Sequence, residues 1–188
     1  MLSPSISNFW GNWKDAFFFM LKIALVYGSW RVLKHLGEAD PNFLFGAWEG
    51  MYDFIAKRLA EATSVILTLL GYSHKQYGRV VIPDGARGII IANLCVGVAA
   101  FYIYTGLIIA FGTNWRDKLW FIPLGLLLIF IINIFRVLAL VLVQLHYEQF
   151  FKLAHTYVYV VITYGLIFAL VVFWMEKLAF KNAKQAMR

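Results

Sequence analysis

Thiols are almost absent from this chain. Cys95 is the one cysteine among 188 residues, which excludes an intrachain disulfide and any cysteine-rich metal site. Charge is sparse as well. Only 14% of the residues are Asp, Glu, Lys or Arg, against ~25% in soluble domains, while 62% are hydrophobic and 18% aromatic. That balance excludes an ordinary soluble fold. Alternation of apolar and polar residues is also missing. The run LGLLLIFIINIF shows none, which argues against a transmembrane β-barrel. No HExxH is present and the four histidines are scattered, so neither a metal nor another cofactor is expected. The first residues, MLSPSISNFWGNWKD, lack a basic leader and a small-residue cleavage site, and do not read as a cleaved signal peptide.

What the chain does have is apolar blocks long enough to cross a bilayer, at ~20 residues per helix. Five spans are expected, at about 16–33, 54–72, 89–111, 119–143 and 153–174. The fold class is an all-α polytopic membrane protein, one helical bundle of five spans or alternatively six, in a single domain. Between the first two spans, GEADPNFLFGAWEGMYDF is broken by Pro41, Gly46, Glu49, Gly50 and Asp53. Residues 38–53 are expected as an amphipathic or re-entrant segment, or as a watery extension of the second helix. Trp10, Trp13, Trp115, Trp120 and Trp174 suit the aromatic belts of the two interfaces. In RVVIPDGARGII, β-branched runs flank Pro-Asp-Gly, which predicts a short hairpin before the third span.

The net charge of +7 is weak evidence for a nucleic-acid partner, because the basic residues lie mostly at span ends. Lys177, Lys181, Lys184 and Arg188, Arg116 and Lys118, and the Arg31–Arg58 region can all be cytoplasmic if there are five spans. Loops 73–88 and 144–152 then face outward, although His74, Lys75, Arg79 and Arg87 make the first of them basic.

Three side chains stand out against this apolar background. Arg136 lies inside the fourth span, where it costs roughly 2.5–3.5 kcal/mol to insert. Asn133, three residues earlier, shares its helix face. Cys95 falls about 9 Å inside one rim if the third span starts at Ile89, and Arg136 about 12 Å inside the same rim. His155 opens the fifth span at that rim. All three are thus expected in one layer. A thiol attacks only as thiolate, and a neighbouring cation favours that form. An imidazole can take the thiol proton and later protonate a leaving amine, while a fixed guanidinium can hold an oxyanion. Each signal has a plainer reading: Cys95 as a packing residue, Arg136 as structural glue, His155 as an interfacial side chain. His35, His74 and His146 take that plainer reading, Lys22 is expected to snorkel, and Glu148 is read as orienting His155 or, as is usual for such a residue, as simply solvated.

The order of these elements resembles the exosortase/archaeosortase family of membrane enzymes. The matching features are LCVG at Cys95, NIFR ending at Arg136, LAHTYVYVVITYG containing His155, and the upstream TLLGYSHKQYGRVVI. The resemblance spans about residues 60–170 and looks like a short-form member. It implies a membrane-embedded cysteine protease or transpeptidase with Cys95, Arg136 and His155 as catalytic residues and Asn133 in support. The implied partners are exported proteins ending in a short motif, a transmembrane helix and a basic cluster, cut on the extracytoplasmic face of a prokaryotic inner membrane, with water or an amine as acceptor. The family commonly has Ser or Thr after the Cys. Here that position is Val96, so backbone amides are expected to replace the hydroxyl. A non-catalytic scaffold or transport subunit with a structural Arg136 is the alternative reading.

Overall fold

The structure, a computed structural model, describes residues 4–39, 44–111, 115–153, 155 and 159–175. The basic C-terminal cluster from Lys177 to Arg188 lies outside the described residues, as does Pro41. Helix α1 runs Pro4–Ala39 and α2 Leu44–Leu69. Three strands follow: β1 His74–Tyr77, β2 Val80–Pro83 and β3 Ile89–Ile90. Helix α3 is Val98–Ala110, α4 Trp115–His146, the short α5 Phe151–Leu153 and α6 Tyr159–Trp174.

The pattern of α4 explains how it packs. Phe121, Gly125, Ile129, Asn133, Val137 and Val141 recur every fourth residue and are all buried. That spacing puts them on one stripe of a 3.6-residue helix. Leu119, Leu127 and Phe135 emerge from the other side, exposed. Helix α2 answers with Ala56, Leu59, Ala60, Thr63 and Leu67, each 0% exposed, again on one face. The small residues let the two backbones approach closely, and α2 against α4 is the most extensive helix contact.

Two cores result. One joins Leu59 and Leu67 of α2 with Val81, Ile89, Ile91, Cys95, Val137 and Val141, beneath the sheet. The other holds Tyr104, Ile108, Phe121, Ile129, Ile167 and Trp174. In the second, the carbonyls that end α3 have no partner within the helix. Lys118 Nζ donates to Ile109 O at 2.8 Å and Trp174 Nε1 to Phe111 O at 3.0 Å.

Outside these cores the surface is greasy. Phe17, Phe18, Leu25, Val161 and Phe168 are each more than half exposed. Contiguous apolar surface of this kind is rare on soluble monomers and suits lipid. Among the described helices, α4 alone is both long and apolar enough to cross a membrane; α3 and residues 161–174 are apolar but shorter.

Several local expectations meet a different backbone. Residues 44–53 are helical and continuous with the rest of α2, and residues 38–39 close α1. The Pro-Asp-Gly turn closes through Ala86 N–H to Pro83 O, with Gly85 at φ +86°. Strand β2 pairs antiparallel with β3 (Val81↔Ile89), but it also pairs with β1, giving the sheet order β1-β2-β3. The third helix does not begin at Ile89. Residues 89–97 are strand, link and a single 3-10 turn, because β3 pairing and a left-handed Gly97 (φ +82°) delay the helix to Val98.

Candidate active site

Cys95 therefore sits on a tight turn, not inside a helix. The chain leaves β3 extended at Ala92 and folds into the 3-10 turn Asn93–Cys95. Cys95 N–H donates to Ala92 O at 2.7 Å and Val96 N–H to Asn93 O at 3.4 Å. Gly97 then takes the left-handed conformation that an L side chain rarely adopts. A Cβ there would also overlap the amide nitrogen of Asn133. From α4, that amide donates to Val96 O at 3.5 Å, so Asn133 supports the turn from below. The result is a buried thiol, 6% exposed, held at the mouth of α3.

Two groups meet the sulfur. His155 Nε2 lies 3.2 Å from Cys95 Sγ. Arg136 Nη2 donates to Sγ at 3.8 Å. Arg136 flanks the buried stripe of α4, which turns its guanidinium inward from a helix whose far side is apolar. The His155 ring stacks on Phe151, centroids 5.9 Å apart and planes 19° from parallel. That stacking fixes the ring plane while leaving its edge toward sulfur. The three residues singled out for their cost or solitude are thus in mutual contact through one atom. A groove of about 360 Å³ opens on the pair, lined by Ile89, Ile90, Ile91, Leu140, Phe151 and His155.

Other expectations need correction. The Glu148 carboxylate faces Arg87 at 3.7 Å, at an exposed position, and not His155. Of the backbone amides expected to replace the hydroxyl that Val96 lacks, those of Cys95 and Val96 are engaged in the 3-10 turn, which leaves those at the start of α3. The Val96 side chain is fully buried in the core. His146 lies 3.3 Å from the Tyr72 hydroxyl and His74 Nδ1 3.1 Å from Tyr72 O, both away from the thiol. His35 is exposed. Lys22 sits over the Phe111 ring.

Sequence reasoning missed a polar network that grips the Cys95 turn. Asn93 Nδ2 donates to Glu49 Oε1 at 2.9 Å, and Asn93 Oδ1 accepts from Arg79 Nη2 at 2.8 Å. Arg79 Nε also lies 3.9 Å from Asp53 Oδ1, and Lys57 holds Asp53 at 2.6 Å. The network ties α2, the sheet and the Cys95 turn together. A usable signal was present: Glu49 and Asp53 are four apart, on one helix face, in an otherwise apolar stretch.

Chemically, the arrangement brings a thiol, an imidazole and a guanidinium together at one sulfur atom. No curated protein and no solved structure matches the chain. The family model described as transmembrane exosortase does match, over residues 15–176. That match takes in nearly the whole described chain, including Cys95, Arg136 and His155, and the protein belongs to the transmembrane exosortase family.

Proposed function

We propose that this chain is a membrane-embedded thiol peptidase or transpeptidase that cleaves C-terminal sorting signals from exported proteins. One observation carries the reading: Cys95 Sγ lies between the His155 imidazole and the Arg136 guanidinium, at 3.2 and 3.8 Å. His155 Nε2 takes the thiol proton as sulfur attacks the scissile carbonyl, and a C–S bond forms. Arg136, the guanidinium beside the sulfur, faces the oxyanion of the tetrahedral intermediate. The C–N bond then breaks as His155 returns its proton to the leaving amine. Water or an acceptor amine attacks the thioester next, gives up a proton to His155, and releases the thiolate.

The membrane reading is built on the greasy exterior and the family. In it α1, α2, α3, α4 and α6 are five spans of one bundle in a prokaryotic inner membrane. The sheet and the Cys95 turn face the extracytoplasmic side, where exported substrates anchored by their own helix reach them. Co-expression with an exported protein ending in a short motif, an apolar helix and a basic cluster tests the reaction. Mass spectrometry of its new C-terminus should find a discrete cut with the wild-type chain and none with Cys95→Ala. Arg136→Ala should insert normally and cut at least ~10²-fold more slowly. Normal processing by Cys95→Ala excludes the thiol mechanism.

A further inference from the structure

A second cavity is lined by Arg136, which does not line the Cys95–His155 groove. Its volume is about 450 Å³, and it is walled by Trp30, Tyr52, Asn133, Arg136, Thr163 and Tyr164, with the first turn of α3 completing the wall. Neither Cys95 nor His155 lines it. Three of its lining residues have a polar atom buried without a hydrogen-bond partner among the described residues: Asn133 Oδ1, Arg136 Nε and Thr163 Oγ1. Asn133 is 0% and Thr163 6% exposed. Buried polar atoms without partners are few in native proteins, and each calls for an explanation. An acceptor, a donor and a hydroxyl that is both thus belong to side chains that line one space, each atom covered until its side chain turns toward a ligand. Lys34 and Glu38, which also line it, pair with each other at 3.7 Å.

We infer that this cavity binds the stretch of substrate just N-terminal to the scissile bond, as neutral polar peptide. The inference rests on the thiol-peptidase reading and deepens it. A peptide unit offers one carbonyl and one N–H. The carbonyl accepts from Arg136 Nε or the Thr163 hydroxyl, and the N–H donates to Asn133 Oδ1. The aromatic walls pack against what side chains follow.

Proton transfer decides which side of the cut lies here. His155 must protonate the leaving nitrogen, so the leaving segment runs along the groove that His155 lines. That groove is walled mainly by Ile89, Ile90, Ile91, Val137, Leu140 and Phe151, with Arg87 and Gln144 as its other polar side chains, a largely apolar surface suited to residues that lead into a membrane helix. The acyl segment leaves the carbonyl in the other direction, past Arg136, into the polar cavity. Arg136 then serves both ends: Nη2 at the reacting atoms and Nε at the bound motif.

The test places p-benzoylphenylalanine at Tyr164 or at Phe151, both aromatic positions, in a Cys95→Ala chain that holds the tagged reporter uncut. The cut site itself is read from the wild-type chain. After irradiation, Tyr164 should link to reporter residues upstream of the cut, and Phe151 to residues between the cut and the reporter's helix. Thr163→Val, which removes the hydroxyl at constant shape, should raise KM about tenfold. Links from both positions to the same side, reversed links, no reporter link from Tyr164, or an unchanged KM in Thr163→Val would each overturn the assignment. A wild-type chain that leaves the reporter uncut overturns the thiol-peptidase reading itself, and this inference with it.

Discussion

At the scale of single residues, the geometry around Cys95 depends on two neighbours that do no chemistry. Gly97 supplies a left-handed turn, and Asn133 fills the space a Cβ would need. Gly97→Ala should therefore cost stability through its φ and also push the Asn133 amide away from Val96 O. We expect a processing rate lowered at least tenfold, with a lower melting temperature in detergent. In a double-mutant cycle, Asn133→Ala should relieve part of the Gly97→Ala defect, because the two share one volume. Strict additivity would show that the overlap is not the cause. Arg136→Lys keeps the charge but loses the planar fork whose Nη2 reaches Sγ. It should lower kcat by about 10²-fold at unchanged abundance, measured by single-turnover cleavage.

Elements set those residues in place, and they differ in how legible they were. Helix α4 could be read from its apolar run, and Arg136 and Asn133 from their cost within it. The pattern of α2 was readable too, since Ala56, Ala60 and Thr63 recur on one face. The 3-10 turn was not. Residues 89–97 are as apolar as any helix, and only Gly97 and β3 pairing, a long-range fact, keep them from joining α3. Strand β1, HKQY, is polar and gains its structure from β2 alone. The Glu49–Asn93–Arg79 bridge joins positions 44 and 14 residues apart, beyond any local pattern. Its effect is testable. Asn93→Ala leaves Glu49 and Arg79 without their shared partner and frees the turn, so processing should slow by at least tenfold while Asn93→Asp, which keeps the acceptor for Arg79, recovers less than half of the loss. Packing predicts a separate effect at the other core. Tyr104 Oη donates to Phe121 O at 2.7 Å, and Tyr104→Phe should lower stability by about 1 kcal/mol with cleavage unaffected.

At the scale of the whole molecule, an apolar exterior surrounds a polar interior seam. Exposed Phe17, Phe18, Leu127 and Phe168 face outward, while Glu49, Asn93, Arg79, Arg136 and His155 converge around the Cys95 turn. That layout brings three charged side chains, Glu49, Arg79 and Arg136, to the Cys95 turn inside an apolar shell. It also predicts sidedness: single cysteines placed at Lys75 and at Arg116 in a Cys95→Ala chain should react with an impermeant maleimide from opposite faces of intact cells. The most direct test of the central claim is capture of the covalent intermediate. Wild-type chain incubated with tagged reporter, quenched in acid and digested, should yield the peptide containing Cys95 with the mass of the reporter's upstream segment added. Hydroxylamine should remove that mass, as expected of a thioester, and His155→Ala should fail to accumulate it. Cleavage of the reporter with no adduct on Cys95, or cleavage that persists in Cys95→Ala, would contradict the account.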